Sequence, residues 1–193
     1  MTSCTNAIKA WETKTGESAA EAVKVDLYAQ NPPIGKLDNS LNGLENCEHL
    51  ALSTNSIDRF IPLPSMKKLR ILSAGRNCIK KIEKLDEVAG TLEELWLSYN
   101  FISSLDGLSN LQNLEVLYMS NNKIKDFGEM AKLASLPKLR DVLFIGNPCY
   151  EGMEKDEQRR AVLAQIPQVQ KIDGEMVTGA DRGPGGGGEE KAE

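Results

Sequence analysis

A single histidine, His49, occurs in 193 residues, and aromatic residues make up only 5% of the chain. With one imidazole, any serine- or cysteine-based triad would have to be built on His49, and its place in the sequence pattern offers no nucleophile nearby. It reads as a surface histidine. No stretch approaches the roughly 18 apolar residues that suggest a membrane span. The opening Met1-Thr-Ser-Cys-Thr-Asn6 has no basic region leading into an apolar core, so no secretory leader is expected. The four cysteines (Cys4, Cys47, Cys78 and Cys149) form no C-x-x-C pair. They read as buried thiols in a reducing compartment, not as a disulfide or metal set. The net charge of −5 is mild, and the basic pairs Lys67-Lys68, Lys80-Lys81 and Arg159-Arg160 are dispersed. Nucleic-acid binding needs a clustered basic face, so none is expected and the pairs read as solvated edges. No phosphate-binding G-x-x-x-x-G-K-[ST] occurs, and the glycines from 183 to 188 have no strand before them or helix after them. Glu93-Glu94 would point to opposite faces of a strand, and Asp156-Glu157 to the solvated side of a helix. No catalytic constellation, cofactor site or metal site emerges, and an enzyme is not expected.

Asparagine, by contrast, recurs in one phrase. Asn55, Asn77, Asn100, Asn122 and Asn147 each close a version of L-x-x-L-x-L-x-x-N-x-I, at intervals of 22, 23, 22 and 25 residues. The copies are Cys47–Ile57, Leu69–Ile79, Leu92–Ile102, Leu114–Ile124 and Leu139–Cys149. Such a period marks a leucine-rich repeat, in which one coil cannot bury its own apolar edge and must stack on neighbours. The segment from Val25 to Ile34 fits as a degenerate first copy, with Leu27, Ala29 and Ile34 in the apolar positions. The expected fold is therefore an α/β leucine-rich repeat solenoid of about six coils with a parallel concave sheet.

The organisation follows from where the period holds. Residues 1–24 read as an N-terminal helical cap, with Ala7, Ile8 and Trp11 on one face, Gly16 as a stop and a short second helix from Ser18 to Ala22. Residues 25–150 carry the repeats. After each asparagine, apolar residues continue at threes, as in Ile79-x-x-Ile82-x-x-Leu85, which suits 3₁₀ turns on the convex side. Pro62 and Pro64 interrupt that side in the second coil. Residues 151–179 read as a C-terminal cap, with a helix over 151–166 (Ala161, Val162 and Ile166 inward) and a last Val169/Ile172 pair. Residues 180–193 are glycine-rich and acidic and are expected to be disordered.

Strand alternation sorts the side chains. Positions four and six of the phrase point inward, with Ala74 standing where other coils carry a larger residue. The asparagine turns the chain and bonds backbone groups of its own and the adjacent coil. Position five points outward and reads Tyr28, Ala51, Ser73, Trp96, Tyr118 and Leu143 along the sheet. Position three reads Asp26, His49, Ile71, Glu94, Val116 and Asp141; position seven reads Gln30, Ser53, Gly75, Ser98, Ser120 and Ile145. Strands about 4.8 Å apart would align Trp96, Tyr118 and Leu143, flanked by Ile71, Val116 and Ile145, with Tyr99 just beyond. An apolar strip of that extent facing water points to a protein partner; the alternatives are coverage by the chain's own tail and scattered surface residues without a role.

The strings Leu50–Asn55 (LALSTN), Leu69–Asn77 (LRILSAGRN), Thr91–Asn100 (TLEELWLSYN) and Val116–Asn122 (VLYMSNN), with the closing segment Pro167–Gly174, carry a resemblance over residues 5–177. The chain resembles the leucine-rich-repeat light chain 1 family of outer-arm axonemal dyneins, within the branch typified by a nuclear phosphatase regulator. The resemblance implies a non-catalytic subunit of a ciliary or flagellar motor, located in the cytoplasm, cytoskeleton and axoneme. It implies binding of an outer-arm dynein heavy chain at the microtubule-binding domain of its stalk tip, near the microtubule and its tubulin. That binding would modulate microtubule engagement and ciliary motility. The family's hydrophobic sheet surface maps onto Trp96, Tyr99, Tyr118 and their neighbours. Its charged segment after the closing Asp-Gly leaves Arg182 as the one arginine here. The other class left open is a regulatory or scaffold subunit of another complex, such as a phosphatase regulator or spliceosomal-type adaptor.

Overall fold

The computed structural model describes residues 1–182. Six short parallel strands, β1 (Lys24–Asp26), β2 (His49–Ala51), β3 (Ile71–Ser73), β4 (Glu94–Trp96), β5 (Val116–Tyr118) and β6 (Asp141–Leu143), stand side by side in chain order. Each covers positions three to five of the repeated phrase. β7 (Lys171–Ile172) adds a seventh parallel strand, and β8 (Glu175–Met176) turns back antiparallel on it. Between the last two, Asp173 and Gly174 both take positive φ, 53° and 87°, as a two-residue Asp-Gly hairpin turn requires.

The core is one continuous column. Leu50, Leu72, Leu95, Leu117 and Val142 fill position four, and Leu52, Ala74, Leu97, Met119 and Phe144 position six, all buried. Each such aliphatic contributes about 1.5–3 kcal/mol by leaving water. The convex side closes the column with 3₁₀ turns at Asn39–Gly43, Asp86–Val88 and Phe127–Leu133. Around Pro62 and Pro64 the backbone forms no helix.

The asparagines stitch adjacent coils. Asn100 Nδ2 donates to the carbonyls of Ala74 and Leu97 at 3.0 Å each, and its Oδ1 accepts from the Ile79 amide at 2.9 Å. Asn55, Asn77, Asn122 and Asn147 repeat the same three-way bond one coil apart. A coil ends with carbonyls and amides that no strand partner reaches, and the side-chain amide supplies both kinds of group.

The first coil is offset by two residues from the sequence reading. β1 pairs Val25 with Leu50 and Asp26 with Ala51, so Val25 and Leu27 are the inward pair and both are buried. Ala29 instead occupies the left-handed position that Thr54, Arg76, Tyr99 and Asn121 hold in later coils, with φ between 50° and 59° throughout. Ile34 does match Ile57, since Asn55 and Asn77 bind their respective amides. The two extra residues lie in the Gln30–Pro33 loop between these fixed points. Asp26 therefore belongs to the central outward row and Lys24 to the row of His49, while Tyr28 moves to the row of Ser53.

Helix α1 (Cys4–Thr15) covers the first coil, capped by Ser3 Oγ accepting from the Asn6 amide and ended by left-handed Gly16. Cys4, Ala7 and Trp11 face inward. Ser18–Ala22 makes a single turn and no second helix: the amides of Glu21 and Ala22 share the Ser18 carbonyl. At the other end α2 starts at Lys155, four residues later than expected, and runs to Gln165, with Glu154 and Glu157 forming a reciprocal cap. Val162 and Ile166 are buried, joined by Leu163, whereas Ala161 is only partly covered.

The tail does not begin at 180. Gly179–Arg182 forms one helical turn, α3, because Asp181 receives two hydrogen bonds from Arg159, at 2.7 and 2.9 Å. Arg159 is correspondingly buried, also donating to the carbonyls of Ile172 and Met176, and is no solvated edge. The expected disorder of the remaining stretch, 183–193, lies outside the described residues.

Candidate functional site

Trp96 and Tyr118 hold the same position on adjacent strands, and the parallel register sets them directly side by side. Their rings stack with centroids 6.0 Å apart and planes 23° from parallel. His49 meets the other side of the indole edge-on, at 5.9 Å and 73°. It does so from two strands away, reaching across β3, whose residue in the Trp96 row is the small Ser73. Small side chains at Ala51 and Ser73, both buried, leave the room that these rings occupy.

Polar contacts hold the aromatic pair. The Trp96 indole N–H donates to Glu94 Oε2 at 3.1 Å, and the Tyr118 hydroxyl donates to Asp141 Oδ2 at 3.2 Å. Lys171 Nζ meets the same Asp141 oxygen at 3.0 Å. Burial and the neighbouring Asp141 carboxylate push the Tyr118 phenol above its ordinary value, so it stays a protonated donor. Burial, then the nearby Lys24 charge, lowers the His49 pKa. His49 is half-buried and its Nε2 is enclosed without a partner, contrary to a free surface histidine.

Leu143 continues the line beside Tyr118 and Ile71 lies partly open two strands back. Ile145 is 53% exposed at the C-terminal end of its strand. Val116 departs from the expected strip, being only 7% exposed. It sits in register between Glu94 and Asp141 on the neighbouring strands. Tyr99 is 46% exposed at the left-handed turn after β4, with the Arg76 guanidinium 4.2 Å above its ring. Arg182 is not part of this cluster. Its guanidinium donates to the carbonyls of Pro167 and Val169, binding it to the closing segment. His49 is the contributor that sequence reasoning missed; its position-three place on the same face was the available signal.

The surface thus assembled is a shallow trough with a fixed aromatic centre and acids set around it. Among the described residues no group of three or more His, Cys, Asp or Glu side chains is placed to hold a metal. The thiols of Cys4, Cys47 and Cys149 are buried, which pushes each up to about 11 and keeps it protonated. The cysteines are structural apolar groups, free of disulfides.

A family profile for leucine-rich repeats (two copies) matches residues 91–135, the coils of β4 and β5. Over nearly the whole chain the similarity is narrower. The axonemal dynein light chain 1 of Chlamydomonas reinhardtii is 50% identical over 180 residues, covering 91% of each chain. The chain belongs to the axonemal dynein light chain 1 family. The human member is 47% identical over 181 residues, covering 93% of this chain and 95% of its own, and the Danio rerio member is 48% identical over 177 residues. Solved structures add the fold alone. A leucine-rich-repeat protein of Leptospira interrogans superposes with a TM-score of 0.63 at 20% identity, over 79% of this chain and 37% of its own. Internalin C2 of Listeria monocytogenes gives 0.56 at 20% identity, over 92% and 88%.

Proposed function

We propose that this chain is a non-catalytic light chain of an outer-arm axonemal dynein that docks the microtubule-binding domain of a heavy chain against its concave sheet. By occupying the stalk tip it modulates how the motor engages the microtubule, and hence ciliary or flagellar motility. The supporting observation is the Trp96–Tyr118 stack, an oriented aromatic anchor left half-open on the sheet. Aromatic residues of this kind, ringed by polar groups, dominate binding energy at protein interfaces. Leu143, Ile71 and Ile145 extend the contact along the sheet, and Tyr99 extends it onto the turn. Val116, which is buried, and Arg182, which is bound to the Pro167 and Val169 carbonyls, stand outside that contact.

The test is capture of an isolated heavy-chain stalk tip. Trp96→Ala combined with Tyr118→Ala should weaken binding by at least about 2 kcal/mol, with an unchanged circular dichroism spectrum. Full affinity in the folded double variant would move the interface elsewhere.

A further inference from the structure

The concave trough carries one charge that nothing balances. In the two outward rows of the repeat strands the charged residues are Lys24, Asp26, Glu94 and Asp141. Lys24 meets Asp26 at 3.4 Å, and Asp141 takes Lys171 at 3.0 Å and the Tyr118 hydroxyl at 3.2 Å. Glu94 has no such match. Its Oε2 accepts the Trp96 indole N–H, and among the described residues it forms no ion pair.

The cations around Glu94 are held elsewhere. Lys24 and Lys171 share its row but stand three strands away on either side, about 14 Å at ordinary strand spacing. Arg70 and Arg140, at the entries to their strands, are engaged by Glu93 at 2.6 Å and Glu115 at 2.9 Å. His49 stays neutral at pH 7.5, because burial and then the Lys24 charge lower its pKa against the opposing pull of Asp26 and Glu94. While the face meets water this costs little, since Glu94 is only half-buried and its carboxylate remains hydrated. Docking changes that. Glu94 is bonded to the ring at the centre of the contact, so a partner that covers Trp96 also takes water from Glu94. A carboxylate stripped of water without a counter-charge is strongly unfavourable, and a purely apolar partner would be penalised at its own anchor.

We infer that the segment docking on the trough carries a positively charged side chain, arginine or lysine, next to the apolar group that covers Trp96 and Tyr118. The inference rests on the docking reading above and adds the chemistry of the partner. The cation meets Glu94 at Oε1, the oxygen that the indole leaves free, while its apolar stem lies along the rings. Glu94 then selects as well as orients, because an acid at that place on the partner is repelled.

The experiment follows the fluorescence anisotropy of the labelled full chain as an outer-arm dynein heavy chain, freed of its own light chain, is added. Glu94→Gln removes the charge but keeps an oxygen for the indole N–H, so the ring stays held. It should weaken binding about fivefold, and Glu94→Lys about a hundredfold. Glu83→Gln, the same change of charge at an exposed acid on the convex side, should bind as the unaltered chain does. Thermal unfolding confirms that each variant is folded. Full affinity in Glu94→Gln, beside a loss in the Trp96→Ala, Tyr118→Ala double variant, would overturn the inference and leave the docking reading standing. Full affinity in that double variant would overturn both. Calorimetry of the unaltered chain at pH 7.5, in two buffers of different ionisation enthalpy, should show no net proton uptake on binding. Uptake of about one proton per complex would mean that Glu94 or His49 is protonated on docking, and would overturn the partner's cation.

Discussion

Glu94 and Trp96 lie two residues apart on one strand, and the carboxylate accepts the indole N–H at 3.1 Å. Because side chains two apart share a face of the sheet, the acid fixes the ring on which the docking surface is centred. An anchor already held in its bound orientation loses little freedom on association. Glu94→Ala should therefore leave thermal stability nearly unchanged and weaken stalk-tip binding several-fold, roughly 1 kcal/mol. Titration calorimetry of the variant reads both enthalpy and affinity, and an unaltered affinity would show that the ring needs no such support.

Asn100 stands mid-ladder among the stitching residues, buried and bonded to three backbone groups of two coils. Asn100→Ala strands the Ile79 amide and removes one of two asparagine bonds at each of the Ala74 and Leu97 carbonyls, which Asn77 and Asn122 still reach, and should cost about 1–3 kcal/mol. Asn100→Asp should cost more, since a carboxylate would face the Ala74 and Leu97 carbonyls without a proton to give. Asn55 sits nearer the open first coil and is only partly buried, so Asn55→Ala should be the mildest of the series. Urea unfolding of the three variants gives the order directly.

His49 makes stability depend on pH near neutrality. Burial lowers its pKa in the folded chain, so the unfolded chain takes up the proton more readily. Stability is then constant at high pH and falls as pH drops below the unfolded value of about 6.5. Melting temperatures at pH 7.5 and 5.5 should differ more in the wild-type chain than in His49→Phe. The same comparison with Trp96 as fluorophore, in a Trp11→Phe background, should show its emission changing over that pH range only when His49 is present.

The terminal cap responds to acid in a different window. Hydrogen bonds from Arg159 hold the Asp181 carboxyl well below the usual carboxylate range. A depressed carboxylate stabilises the fold above its unfolded value of about 3.9, and that contribution is lost as pH falls below it. Arg159→Ala should cost about 2–3 kcal/mol at pH 7, because it also orphans the Ile172 and Met176 carbonyls and leaves Asp181 unpaired. Asp181→Asn should be milder, and the gap between it and the wild type should close as the pH is taken below 4. Hydrogen exchange at Val177 and Thr178 would place the loss at the cap.

The repeat made most of this architecture legible. The asparagine period located every strand from β2 to β6, and period-two alternation alone put Trp96, Tyr118 and Leu143 in one line. What escaped were features set by contacts between distant residues. In the first coil Leu27 is apolar in either register, so only pairing with β2 could decide between Val25 and Ala29 as its inward companion. Val116 looked exposed by alternation, yet it is buried in register between Glu94 and Asp141. Arg159 looked solvated because its partner, Asp181, stands in a stretch whose composition suggests no structure. The His49–Trp96 contact spans two strands and depends on Ser73 being small.

The reversal at Asp173-Gly174 also ends the parallel array. A parallel array can in principle accept another coil, since each new strand would find the edge of the last. Here the final strand runs the wrong way for that, and Asp173 places its carboxylate on the Phe144 and Ile145 amides and the Tyr150 hydroxyl, so the Phe144 amide that the carbonyl of a further coil would have taken is already occupied. Lengthening the parallel array by duplication would therefore fall upstream of this terminator.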